Sequence, residues 1–134
     1  MCFMSNKLPP AAIDGERENL TIDEANNSVT ILNAPNIRIY KVSTGSMKPL
    51  LAIGSFGIFT QNVNTNDLCV GHDLVFEDEE VYMKGVYVLH RIIEVGWDAE
   101  GWKCRTQGLN NSKPDKGWRR PSEIRGRLIG VYNG

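Results

Sequence analysis

The chain is short of several features at once, and each shortage excludes a class. No apolar run approaches the ~20 residues that a membrane-crossing helix needs; the longest, such as residues 49–53 and 86–89, are brief. Residues 1–4 lack the charged-then-apolar order of a secretory signal. A soluble, cytoplasmic chain that is not exported is therefore expected. Surplus charge is lacking too. Lys and Arg total 15 against 16 Asp and Glu, a net charge of −1. A general nucleic-acid binder needs a basic surplus to neutralise phosphates, so none is expected as a partner.

Cysteine and histidine are scarce. Cys2, Cys69 and Cys104 are odd in number and have no framework spacing, which fits free thiols in a reducing compartment. Cys69 and His72 have a ligand-like C-x-x-H spacing. A closed metal site takes about four ligands, and the chain has only two histidines. Neither metal nor cofactor is expected.

What is present suits one folded domain: 134 residues, 41% hydrophobic and 23% charged. Residues 1–27 differ from the rest. Pro9-Pro10, Asp14-Gly15, the acidic stretch 16–18 and Asn26-Asn27 read as a polar N-terminal arm with few contacts to its own domain, which in a structural or assembly protein would be a docking strand for partners. Residues 28–134 read as a mainly β domain. Strand-like runs begin around Val29, Ile31 and Leu32 and recur at 37–42, 56–59, 74–76, 81–89, 92–95, 102–105 and 128–132. Each is short, rich in β-branched or aromatic residues, and bounded by turn formers. No segment keeps a helical period for three turns. Residues 98–101 read as a hairpin tip. The expected core is Ile39, Val42, Phe59, Val75, Phe76, Val88 and Ile92. Residues 108–123 form a long polar loop, of a length that is often functional, with Trp118 as its anchor.

Three residues carry potential chemistry. Ser46 follows a strand-like run inside Ser43-Thr44-Gly45-Ser46-Met47-Lys48-Pro49, where Gly45 permits a sharp turn. Such a serine either satisfies turn hydrogen bonds or acts as a nucleophile. His90 ends an apolar run and is either a core histidine or a general base. Asp115, in the long loop, either makes an Asx-turn or orients a histidine from behind.

The words around these residues are more specific than the residues alone. The Ser43–Pro49 segment resembles the S-G-S-M-x-P box of type I signal peptidases. Val88-Leu89-His90-Arg91-Ile92-Ile93-Glu94-Val95 resembles V-H-R-V-I-E-V of their archaeal and endoplasmic-reticulum branch, which uses histidine where bacterial enzymes use lysine. Residues 106–115 are similar to T-K-G-D-N-N-x-x-x-D, residues 71–76 to G-D-I-V-V-F with one insertion, and residues 123–131 to the closing strand I-I-G-K-V. The likeness spans about residues 37–132.

The resemblance implies a signal-peptidase-like folded β-sheet and a soluble serine peptidase acting on polypeptides. Ser46 would be the nucleophile, His90 its base and Asp115 the residue orienting His90. Thr44 and the Ser46 N–H would hold the oxyanion. Gly45, Met47 and Pro49 would shape the substrate-binding turn. Small neighbours such as Gly45 and Ala52 suit a small side chain at the cleavage point. Two departures leave alternatives open. Leu109 stands where the family has the aspartate of G-D-N-N, so either the triad is broken or Asp115 supplies the carboxylate. Ser55 stands where the family often has aspartate. The family's membrane anchor has no counterpart here, so processing of exported preproteins is not expected. The second reading is an impaired peptidase fold acting as a structural or assembly module, for example in a phage virion or tail.

Overall fold

Alternating side chains on short strands can bury one face only by pairing edge to edge and curling. In the computed structural model this chain does so with antiparallel strands alone. The structure describes residues 36–132, and the backbone of three earlier strands: β1 (Ala11–Arg17), β2 (Thr21–Glu24) and β3 (Asn27–Thr30). The later strands are β4 (Ile37–Val42), β5 (Phe56–Thr60), β6 (Asp73–Phe76), β7 (Val88–Asp98), β8 (Gly101–Gln107) and β9 (Ile124–Tyr132). β4 to β9 form a six-stranded open sheet in the order β4-β5-β9-β6-β7-β8. β2 and β3 make a separate two-stranded ribbon. Two short 3-10 turns, Thr65–Asp67 and Pro121–Glu123, are the helical elements among the described residues.

β1 joins this sheet on two sides. It pairs with β4 through Ile13↔Val42, Glu16↔Tyr40 and Arg17↔Ile39, and with the start of β7 through Ala11↔Leu89 and Ala12↔Val88. The expectation of a polar arm with few contacts does not hold for this segment. Backbone hydrogen bonding needs no apolar surface, so a polar sequence can complete a sheet whose edges are open. Of the run expected to start near Val29, that residue lies in β3; Ile31 and Leu32 lie outside the described residues.

All seven expected core residues are buried. Val42, Phe59, Val75 and Ile92 belong to two packed groups. One gathers Tyr40, Val42, Met47, Leu51, Phe59, Val75, Leu89 and Leu109; the other gathers Leu68, Leu74, Ile92, Trp102 and Cys104. β8 shows the period of two clearly: Trp102, Cys104 and Thr106 point inward and their neighbours do not. β7 and β8 form a hairpin closing at Asp98↔Gly101, where Gly101 has a φ of 107°. Arg120 donates to both Asp98 oxygens, at 2.9 and 2.6 Å, and so ties the end of the long loop to this hairpin. Trp118 packs on the same side, with the Lys103 ammonium 4.2 Å from its ring centre.

One run expected to be a strand is not. Residues 81–87 form turns, and the strand begins only at Val88. The acidic residues before them decide this. Asp78 accepts from the Glu80 N–H at 2.9 Å, Glu77 accepts from the Gly85 N–H at 3.1 Å, and Gly85 takes a φ of 83°. Local side-chain acceptors thus compete with the ladder and win.

Candidate active site

Ser46 sits on the turn that follows β4. The Lys48 N–H donates to the Gly45 carbonyl at 3.2 Å and the Leu51 N–H to the Met47 carbonyl at 3.0 Å. Met47 is fully buried against the core, so it anchors the turn from below rather than facing a substrate; Lys48 and Pro49 are exposed. Thr44 lies two residues before Ser46 and is half-buried, and Gly45 is buried. The long loop holds the turn from above. The Asn110 N–H donates to the Ser46 carbonyl at 2.7 Å, and Asn110 Nδ2 donates to the Gly45 carbonyl at 3.1 Å.

His90 is the third residue of β7, fully buried beside Ser46. Its Nε2 lies 3.1 Å from Ser46 Oγ, and its Nδ1 lies 2.6 Å from Asp115 Oδ2. The three residues named from the sequence therefore come together in one line. A neutral imidazole satisfies both contacts when Nδ1–H donates to the carboxylate and Nε2 accepts from the serine hydroxyl.

Asp115 is fixed on several sides. Its own N–H donates to the Thr106 carbonyl at 2.8 Å, and the Thr106 hydroxyl donates to its Oδ2 at 2.7 Å. The Tyr82 phenol lies beside it as well. Burial, and then the Asp115 charge, hold that phenol well above the ordinary tyrosine range, so it stays a donor. Leu109 is packed in one core group with Met47, Leu51 and Leu89. The structure thus places the histidine-bound carboxylate at 115 and a core side chain at 109.

Gly108 makes this approach sterically possible. A Cβ there would lie 2.7 Å from Asn111 Nδ2, 2.8 Å from His90 Nε2 and 2.9 Å from the Ser46 carbonyl. Behind the site, Arg119 is completely buried. It forms a 2.7 Å ion pair with Asp78 and lies over the Phe76 ring, 4.9 Å from its centre. Phe76 in turn flanks both Tyr82 and His90, at 6.2 and 6.3 Å between ring centres.

The sequence reading missed these supporting residues. Thr106 was legible as the inward position of an alternating strand. Tyr82, Arg119 and Asp78 carried no local signal, because their roles depend on turns and loops converging. The cysteine–histidine pair noted above is loosely placed: exposed Cys69 has its Sγ 3.8 and 3.9 Å from the ring nitrogens of half-buried His72. Among the described residues, no three His, Cys, Asp or Glu gather as a metal site, and no helix is long and apolar enough to cross a membrane. Compared with protein-family models, curated proteins and solved structures, the chain matches none.

Proposed function

We propose that the chain is a serine peptidase of signal-peptidase-like type, with Ser46 as nucleophile, His90 as general base and Asp115 as the residue that positions His90. The observation that carries this reading is the line of contacts from Ser46 Oγ through the His90 ring to Asp115, at 3.1 and 2.6 Å. A buried serine and histidine joined in this way, with a carboxylate behind, have the parts needed for acyl transfer.

In the reaction, Ser46 Oγ attacks the scissile carbonyl carbon while His90 Nε2 takes the hydroxyl proton. The imidazolium is stabilised by Asp115. The oxyanion is held by the Ser46 N–H and Thr44, donors set on a turn that the core fixes in advance. Collapse breaks the C–N bond, and His90 returns the proton to the leaving amine. Water, deprotonated by His90, then hydrolyses the Ser46 ester. Asp115 is bonded to two side chains, His90 and Thr106, and its N–H to the Thr106 carbonyl, so it keeps one orientation through the cycle.

One observation favours the second reading, a peptidase fold kept for its shape: Ser46 and His90 are both 0% exposed. The test that separates the two uses an unstructured protein such as casein and a peptidyl phosphonate that captures activated serines. A peptidase cleaves the first and is labelled at Ser46 by the second. Ser46→Ala abolishes both, and His90→Ala slows both by orders of magnitude. Cleavage that survives Ser46→Ala sinks the assignment, and a folded chain inert to both reagents, with its strand β1 displaced as below, establishes the structural module.

A further inference from the structure

We propose that strand β1 is a built-in occupant of the substrate slot, so that the chain folds into a latent form in which its own residues 11–17 take the place of an extended polypeptide. This rests on the peptidase reading and concerns the regulation of that same site.

The argument is topological. β1 is antiparallel to β4 and also antiparallel to β7. β4 and β7 therefore run in the same direction on either side of it. These are the two strands that deliver the reacting groups. The serine turn leaves the end of β4, and His90 directly follows Leu89, the β7 residue paired with Ala11. The N-terminal end of β1 therefore points toward the serine–histidine pair. An extended main chain lying there is held from both sides by backbone hydrogen bonds, the form of recognition that accepts many sequences.

Two further observations agree. First, Ser46 and His90 are sealed, at 0% exposure, although a peptide carbonyl must reach Ser46 Oγ to react. Some element has to leave. Second, β1 is an irregular strand. Its register with β4 shifts between Ile13 and Glu16, the stretch that contains Asp14-Gly15, and its pairing with β7 covers only Ala11 and Ala12. A bulged strand loses ladder bonds and opens more readily than a regular one. Tethering supplies the counterweight. An intramolecular segment competes at an effective concentration in the millimolar range, so weak polypeptides are excluded. Those that bind well, or a partner that withdraws the N-terminal segment, gain access.

The test compares the full chain with the full-length variant Ala12→Pro/Ile13→Pro. Successive N–H groups of a strand point to opposite sides, so two prolines remove one donor toward each neighbour. The readout is the rate at which a peptidyl-alanine diphenyl phosphonate labels Ser46, followed by intact mass. In that reaction Ser46 Oγ bonds to phosphorus and phenol departs. Latency predicts labelling at least tenfold faster in the variant. A synthetic peptide of sequence AAIDGER, added in excess, should slow it again. Equal rates in the two folded chains overturn the inference and leave the peptidase reading standing. No labelling of either, with the variant folded by circular dichroism, overturns the peptidase reading itself. A second measurement needs no variant. In the labelled wild-type adduct, amides 11–17 should lose hydrogen-exchange protection while amides 124–132 keep theirs. Unchanged protection at 11–17 likewise rejects the proposal.

Discussion

Asp115 Oδ2 lies 2.6 Å from His90 Nδ1, across 25 residues of sequence, and its orientation is set by a strand that neither residue belongs to. That strand is β8. Its inward positions are filled by Trp102, Cys104 and Thr106, and the last of these presents both a carbonyl and a hydroxyl to Asp115. The carboxylate is therefore held by the sheet, although it comes from a loop.

Asp115→Asn should lower turnover by about four orders of magnitude, because an amide in place of the carboxylate no longer fixes the imidazole tautomer. Thr106→Val removes one hydrogen bond to a charged acceptor, and Tyr82→Phe removes a hydroxyl beside it. Each should cost roughly tenfold, about 1.4 kcal/mol of transition-state stabilisation. Steady-state rates on one substrate check the order. Equal losses for all three variants would contradict the assigned roles.

Gly108→Ala introduces a Cβ within 2.8 Å of His90 Nε2 and 2.9 Å of the Ser46 carbonyl. Overpacking of this kind typically costs about 1–3 kcal/mol. Urea unfolding should show a loss in that range. Phosphonate labelling of Ser46 should fall by more than the stability loss explains, since the displaced group is the base proposed above.

Leu109→Asp should harm the protein. Leu109 packs in one core group with Met47, Leu51 and Leu89, so a carboxylate there would sit among apolar side chains. The change should destabilise by about 2–5 kcal/mol from lost packing and an unpaired polar group, whereas Leu109→Met should cost under about 1.5 kcal/mol. A gain of peptidase activity in Leu109→Asp would show instead that the position belongs to the catalytic centre.

Cys69 is exposed and Cys104 is buried, so iodoacetamide should modify the first in the native protein and spare the second. Burial pushes the Cys104 thiol from 9.0 up to about 12. A folded-state value raised above the unfolded one means the neutral thiol is favoured by folding. That stabilisation is complete below pH 9 and is lost as pH climbs toward 12. Tyr82 acts in the same direction. Unfolding free energies at about pH 8 and about pH 11 should therefore differ less in Cys104→Ala than in the wild type. An identical pH dependence would refute this.

Much of this protein was written locally. Strand content followed from β-branched runs and turn residues, the seven core positions from their apolar character, and the 98–101 hairpin from its turn sequence. The serine, histidine and aspartate stood out because their neighbouring words are specific, and the sequence left only the choice between positions 109 and 115. Tertiary structure made that choice. Position 109 faces a core built from several separate segments, whereas 115 meets a strand carbonyl, a threonine hydroxyl and an imidazole. The same is true of residues 11–17. A polar composition signals little surface to bury, but it is silent about backbone pairing. Only the folded sheet supplies two open edges, one on β4 and one on β7, and main-chain hydrogen bonds fill them whatever the side chains are.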